Sequence, residues 1–321
     1  MKVIFLVTLL NEFFGDAIAI DMGWGKMDQI NHPHVIDSFN DPDSTWIAGE
    51  NHYFNQMTFG QAQVLLMSSN FAQPSAPTDV NQLYRTQIPV EFDATDGVVF
   101  PRGSISPIRD QQQCGSCWAF SAVEVLTDRF RIQTNNTAFP VLSPEDLVAC
   151  DTLDMGCGGG ELSTAWTFLS SSGVVSDTCR PYSSGGGAAS ACIQQCAGDE
   201  EYTKYHASDA KPIHGVENMQ MEILKHGPIQ VAFKVYKSFM TYRSGVYMKK
   251  KYEIVPEGGH AVKIVGWGAT ESEDYWVVAN SWNTTWGMDG YFWISRGSDQ
   301  CGIETLGPPY TGQAKVDGFN Q

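Results

Sequence analysis

Gln111-Gln112-Gln113-Cys114-Gly115-Ser116-Cys117-Trp118-Ala119-Phe120-Ser121 sets two cysteines two residues apart, directly ahead of a helical pattern. Such a pair can be a redox couple, half of a zinc site, or a structural cysteine beside a reactive one. The residues that follow fix the local structure first. Phe120, Val123, Leu126 and Phe130 recur at three- and four-residue spacing, the mark of an amphipathic helix, with Cys117 in its first turn. Ser143-Pro144-Glu145-Asp146 combines an N-cap residue, proline at the first helical position and early acids, so a second helix begins there. A third is expected over 162–171 and a fourth over 217–226, the last stopped by Gly227-Pro228. Beyond it the texture changes to short β-rich runs at 229–235, 260–267, 275–279 and 291–295, separated by glycine-containing turns. Helices first and strands afterwards predict an α+β protein of two lobes, with a site in the cleft between them.

Composition limits what the cysteine pair can serve. A net charge of −16 argues against a nucleic-acid surface, which needs clustered Lys and Arg. The one basic run, Lys249-Lys250-Lys251, reads as a solvated loop. At the N-terminus, Met1-Lys2, the apolar run 3–10 and Ala17-Ile18-Ala19 have the form of a signal peptide over 1–19, although Asn11, Glu12 and Asp16 intrude. The competing reading is a buried N-terminal strand. No later stretch is apolar for about 18 residues without charges, so no membrane span is expected. Residues 20–87 are polar, Asn/Gln-rich and free of cysteine, and all eight cysteines follow them; a pro-segment and an N-terminal subdomain both fit. In a chain entering the secretory pathway, eight cysteines suggest disulfides rather than a metal cluster. If one cysteine stays free as a nucleophile, parity requires a second unpaired one.

A thiol of pKa about 8.5 is only about 3% thiolate at pH 7. Lowering it to about 4, as an acidic compartment would demand, takes roughly 6 kcal/mol. A helix N-terminus contributes roughly 0.3–2 kcal/mol. A nearby cation is therefore required. Of the histidines, His32, His34 and His52 lie in the segment expected to be removed, and His226 closes a helix; His206 and His214 carry no further signal. His260 follows Gly258-Gly259, which permit close approach, and opens a strand whose alternation would fix its direction.

Four stretches in order, "QQQCGSCWAFS" at 111–121, "GCGGG" at 156–160, "GGHAVKIVGWG" at 258–268 and "NSWNTTWG" at 280–287, resemble the papain family of cysteine proteases, whose Cys-Gly-Ser-Cys-Trp signature is followed by distant His and Asn. The resemblance covers most of the chain and runs closest to the cathepsin B branch. "STWIAGENHYF" at 44–54 resembles its propeptide, "IPVEFDA" at 88–94 the start of its mature enzyme and "DQCGIET" at 299–305 its C-terminal region.

The resemblance implies a papain-like two-lobe α+β fold: a helical lobe, an antiparallel β-barrel-like lobe, the active-site cleft between them, and an N-terminal propeptide. It implies a signal peptide at 1–19, an inhibitory propeptide at 20–87 and a mature peptidase at 88–321. Cys117 would be the nucleophile, His260 its imidazolium partner and general acid, and Asn280 the orienting group. Gln111, with the Cys117 N–H, would form the oxyanion hole, and Trp282 would shield the Asn280–His260 hydrogen bond. Gly159, Gly160, Ala232 and Leu306 fall on substrate-binding positions, with Trp282 beside them. Cys114 would pair with Cys157, Cys150 with Cys192 and Cys179 with Cys196, leaving Cys117 and Cys301 free. Expected partners are protein and peptide substrates, the chain's own propeptide and cystatin-like inhibitors, with the enzyme a monomer in an acidic vesicle or outside the cell. No metal or other cofactor is implied.

Departures from the cathepsin B pattern refine the expectation. Only 12 residues separate Cys179 from Cys192, too few for that branch's histidine-bearing occluding loop, so endopeptidase activity without strong dipeptide removal is expected. Leu306 stands where an acid would favour P2 Arg, which predicts apolar P2 residues instead. Gly158 replaces the usual Asn, and Glu161 an aromatic. Of the sequons, Asn135-Asn136-Thr137 is the more credible acceptor, since Asn283-Thr284-Thr285 adjoins the catalytic Asn. The rivals are a thiol–disulfide oxidoreductase using Cys114 and Cys117, and a non-enzymatic binding scaffold.

Overall fold

The computed structural model describes residues 24–67 and 88–315. The expected signal peptide and the 68–87 end of the pro-segment lie outside these residues. The N-terminal segment contributes helix α1 (Pro33–Phe39), strand β1 (Trp46–Ala48) and helix α2 (Phe59–Ala62). After strand β2 (Phe92–Asp93) come helices α3 (Cys117–Thr134), α4 (Pro144–Cys150) and α5 (Leu162–Ser171), then β3 (Ala207–Pro212) and α6 (Val216–His226). The remainder is β4 (Ile229–Val235), α7 (Lys237–Met240), β5 (Tyr242–Tyr247), β6 (Gly258–Ala269), β7 (Asp274–Ala279), β8 (Tyr291–Ser295) and β9 (Tyr310–Ala314).

The strands form one sheet in the order β1-β5-β8-β7-β6-β4-β9-β3, with β2 added on β6. All pairings are antiparallel except β5 with β8. Two cores result. One holds the inner residues of β4, β6, β7 and β8, Trp282, Trp286 and, from the N-terminal segment, Phe39, Trp46, Phe54, Phe59 and Leu65. The other packs α3, α4 and α5 against Ala232 and Ala261 of the sheet. Three disulfides, Cys114–Cys157, Cys150–Cys192 and Cys179–Cys196, tie down the loops of the helical lobe, and Cys117 and Cys301 are free thiols.

Helix α3 departs from the amphipathic pattern. Every residue from Cys117 to Arg131 is buried, because its polar side chains are paired inside the protein rather than hydrated. Lys263 of β6, 1% exposed, donates to Asp128 at 2.7 Å and Ser106 at 2.9 Å and lies 3.6 Å from Glu124. Arg129 donates to the carbonyls of Pro228, Gly227 and Gly312 and to Glu222 at 2.9 Å. Helix and sheet are thus joined by a desolvated charge network. At α4 the expected cap is present: the Asp146 N–H donates to Ser143 Oγ at 3.1 Å. Asp146 is itself buried, held by Arg180 and Lys204. Helix α6 stops at Gly227, whose φ of +95° favours glycine.

The four expected strands are present, each within two residues of its expected ends. The other five strands carry no such sequence signal; β1 and β2 are only three and two residues long. The sequences of β3, β5 and β9, ASDAKP, YRSGVY and YTGQA, lack clean alternation, and pairing with neighbouring strands defines them. The lysine run differs from a solvated loop: Lys250 donates to Ser44 Oγ and covers the Trp46 ring at 5.0 Å, while Lys249 covers Tyr236 at 5.3 Å. Replacing Lys263 by Met strands the Asp128 carboxylate, and a loss of about 3–5 kcal/mol is expected in urea unfolding of the full chain. A loss below about 1 kcal/mol would show that the network does not hold helix to sheet.

Candidate active site

Cys117 is the first residue of α3, and β6 lies across from it. The Ala261 N–H donates to Cys117 Sγ at 3.5 Å, which sets the thiol beside the residue after His260. His260 pairs in register with Phe233 of β4, and its Nε2 is 2.7 Å from Asn280 Oδ1. An amide oxygen can only accept, so Nε2 carries the hydrogen and Nδ1 is left as the basic nitrogen. Nδ1 is buried and makes no hydrogen bond among the described residues, which leaves it available to the thiol. Asn280 follows β7; its oxygen also accepts from the Ser281 N–H at 2.8 Å, and its own N–H donates to the Gly290 carbonyl. Trp282, fully buried, stacks on the imidazole at 4.6 Å between ring centres and covers this hydrogen bond.

Gln111 is also fully buried. Its Oε1 accepts from Ser281 Oγ at 2.7 Å, which turns Nε2 toward the cleft. There Nε2 donates to the Cys114 carbonyl at 2.8 Å and to the carbonyl of Leu65 at 2.9 Å. A peptide carbonyl of the N-terminal segment therefore already sits on this donor.

The same segment continues along the cleft as far as Met67. Met67 and Gly259 form an antiparallel bridge, N–H to carbonyl at 2.8 and 2.9 Å. The Met67 side chain packs in one cluster with Cys117, Trp118, Ala232 and Ala261. Gly159, with φ +110°, lies against it: a Cβ there would come within 3.2 Å of Met67 Cβ. Gly160 instead backs onto Trp118, where a Cβ would be 2.5 Å from the ring, and its backbone makes no hydrogen bond among the described residues. Leu306, half-buried, packs on Gly302 and is not part of the Met67 cluster. The nearby acid, Glu304, is taken up by Trp276 Nε1 and the N–H groups of Gly297 and Asp299.

Upstream, the segment is anchored by residues of the 44–54 stretch, whose individual roles the sequence does not give. Asn51, fully buried, donates to the Met240 and Tyr242 carbonyls at 3.2 and 3.0 Å and accepts from the Gly287 N–H at 2.8 Å. Trp46 Nε1 donates to the Met248 carbonyl, and Tyr53 stacks on Trp282 at 6.4 Å.

This cover changes the electrostatics that the sequence demanded. Burial pushes the Cys117 thiol up to about 12. Burial also lowers His260 to about 4, against the Asn280 hydrogen bond. Over the range between, both groups are neutral. Burial of both groups therefore disfavours the expected thiolate and its imidazolium partner in the full chain.

Residues 88–307 match the papain family of cysteine proteases, and the chain belongs to that family. Within it, the chain is 36% identical over 308 residues to cathepsin B-like cysteine proteinase 4 of Caenorhabditis elegans, covering 84% of this chain and 89% of that one. It is 37% identical over 281 residues to cathepsin B-like CP3 of Giardia intestinalis, covering 86% and 90%. The structure of proCathepsin B S9 from Trypanosoma congolense superposes with a TM-score of 0.79 at 30% identity, covering 90% of this chain and all of that one. The chain is a cathepsin B-like cysteine protease of zymogen type, and Leu65 and Met67 of its N-terminal segment lie in the cleft.

Cys117 in the full chain should alkylate slowly with iodoacetamide at pH 5–8. Asn51→Ala leaves buried partners unpaired, a cost of about 1–3 kcal/mol, and should speed labelling roughly tenfold to a hundredfold. Fast labelling of the unaltered full chain would contradict this cover.

Proposed function

We propose that the protein is a secreted or vesicular endopeptidase, released from its zymogen when residues 20–87 are removed after a signal peptide at 1–19, leaving a mature chain of 88–321. The reading rests above all on the Leu65 carbonyl held by Gln111 Nε2 at 2.9 Å, a peptide group sitting on the candidate oxyanion donor in the same cleft as Cys117.

Once the propeptide leaves, His260 Nδ1 takes the Cys117 proton, and substrate meets the resulting ion pair. The thiolate forms a bond to the scissile carbonyl carbon, and the oxyanion is stabilised by Gln111 Nε2 and the Cys117 N–H at the start of α3. The tetrahedral intermediate collapses, the C–N bond breaks, and the imidazolium gives its proton to the departing amine. Water then attacks the thioester with His260 as base, and Cys117 is regenerated. Asn280 holds the Nε2–H tautomer throughout. Cys114 is bonded to Cys157, so the redox reading lacks its couple. Gln111→Ala should lower kcat by about a hundredfold or more while Cys117 still alkylates; unchanged kcat would remove the oxyanion role.

Specificity follows from two features. Met67 falls in the same buried cluster as Ala232, Ala261 and Trp118 and lies against Gly159, which supports an apolar S2 pocket with Gly159 and Gly160 binding the substrate backbone. The segment between Cys179 and Cys192 carries no histidine and folds back on Glu145 through Ser183, Ser184 and Ser190, which supports an open primed end. Peptides with P2 Leu, Val or Phe should be cut in their interior faster than P2 Arg peptides, at rates insensitive to C-terminal amidation. Dipeptide release that is abolished by amidation would contradict this. The enzyme is proposed to act as a monomer inhibited by cystatin-like proteins, with any glycan on exposed Asn135 rather than on Asn283, whose amide is engaged by Asp110.

A further inference from the structure

The segment between Cys179 and Cys192 carries one side chain that reaches the catalytic loop. Tyr182 packs its ring edge-on against Phe120 of α3, 4.7 Å between centres. Its Oη is 2.8 Å from the Gln111 carbonyl oxygen and 2.8 Å from Ser116 Oγ. The protons can be assigned. A carbonyl has none to give, so the phenol's single hydrogen goes to Gln111, and the Ser116 hydroxyl donates to the phenol oxygen. Burial raises Tyr182 to about 12, so it keeps that hydrogen at the pH values where the enzyme would work.

The two groups so joined carry the two oxyanion donors. Gln111 supplies Nε2, and Ser116 is the residue before Cys117, whose N–H is the second donor. Ser281 fixes the other sides of Gln111, accepting from its N–H at 3.0 Å and donating to its Oε1 at 2.7 Å. The Gln111 carbonyl is bonded by Tyr182 alone among the described residues. It precedes Gln112, held at φ +52°, in a turn where the peptide plane is not set by regular structure. Asn280, Ser281, Gln111, Tyr182, Ser116 and Cys117 thus form a continuous path from the orienting amide to the nucleophile, in which Tyr182 bridges the two sides of the oxyanion hole.

We propose that Tyr182 is a positioning residue for the oxyanion hole, acting through the Gln111 carbonyl and Ser116 without touching substrate. This rests on the oxyanion role proposed for Gln111. Small displacements of a preorganised donor cost rate rather than binding. The closing experiment is a double-mutant cycle on the activated enzyme, with kcat and KM for a peptidyl amide and the alkylation rate of Cys117 as readouts. Tyr182→Phe, which keeps the ring on Phe120, should lower kcat about tenfold with KM within about twofold. Alkylation and its pH profile should not change, because the Cys117–His260 pair is untouched. In the Gln111→Ala background Tyr182→Phe should add less than about a twofold loss. Ser116→Ala, which removes the other bond to the phenol, should lower kcat by a smaller factor with the same non-additivity, and serves if Tyr182→Phe does not fold.

A full tenfold loss persisting in the Gln111→Ala background, an alkylation rate falling with kcat, or an unchanged kcat in Tyr182→Phe beside an impaired Gln111→Ala would each overturn the proposal alone. An unchanged kcat in Gln111→Ala would overturn the oxyanion reading and this one with it.

Discussion

The packing of helix α3 across strand β6 is the constraint on which the rest depends. At one end it brings Cys117 Sγ within 3.5 Å of the Ala261 N–H, beside His260. Further along it is locked by Lys263 between Asp128 and Glu124. A thiol and an imidazole from lobes with separate cores meet only if helix and strand keep this relation. An apolar contact alone could slide; a buried lysine with two carboxylates has one register in which its charge is satisfied. The Cys117 thiol is therefore held in place far from the cleft as well as in it.

Burial at the cleft works in the opposite sense to catalysis. The low-polarity surroundings that would strengthen a thiolate–imidazolium pair also penalise each charge taken singly. With Cys117 and His260 both buried, the penalty dominates: the thiol is pushed up to about 12 and the imidazole down to about 4. The N-terminal segment thus covers the site in two ways, by placing the Leu65 carbonyl on Gln111 Nε2 and by pairing Met67 with Gly259. Its hold comes from elsewhere: a strand on β5, Trp46 between Tyr242 and Tyr247, and Asn51 in a slot of three backbone groups.

Much of this was legible in the sequence because it rests on local periodicity. The helices at 117, 144, 162 and 216 announce themselves through spacing, caps and stop signals, and β4, β6, β7 and β8 through β-branched and aromatic runs. Cys117, His260 and Asn280 could be singled out because a thiolate needs a cation that the helix cannot supply, and the four motifs point to the same three residues. What could not be read depends on partners distant in the chain. YRSGVY becomes a strand only because β1 and β8 flank it. Glu124, Asp128 and Arg129 look like a hydrated helix face until Lys263 and the Gly227 and Gly312 carbonyls are placed around them. Tyr182 is an ordinary polar residue in the sequence, and Asn51 and Ser281 lie in motif stretches that assign them no role; all three acquire their roles through geometry.

The central claim is that Cys117 and His260 form an ion pair once the propeptide leaves. Alkylation of Cys117 against pH, in the enzyme freed of its propeptide, tests it most directly. The account predicts substantial reactivity in acid, with an apparent thiol pKa below about 5 that is lost in His260→Ala. A single titration near about 8.5, unaffected by that substitution, would contradict it.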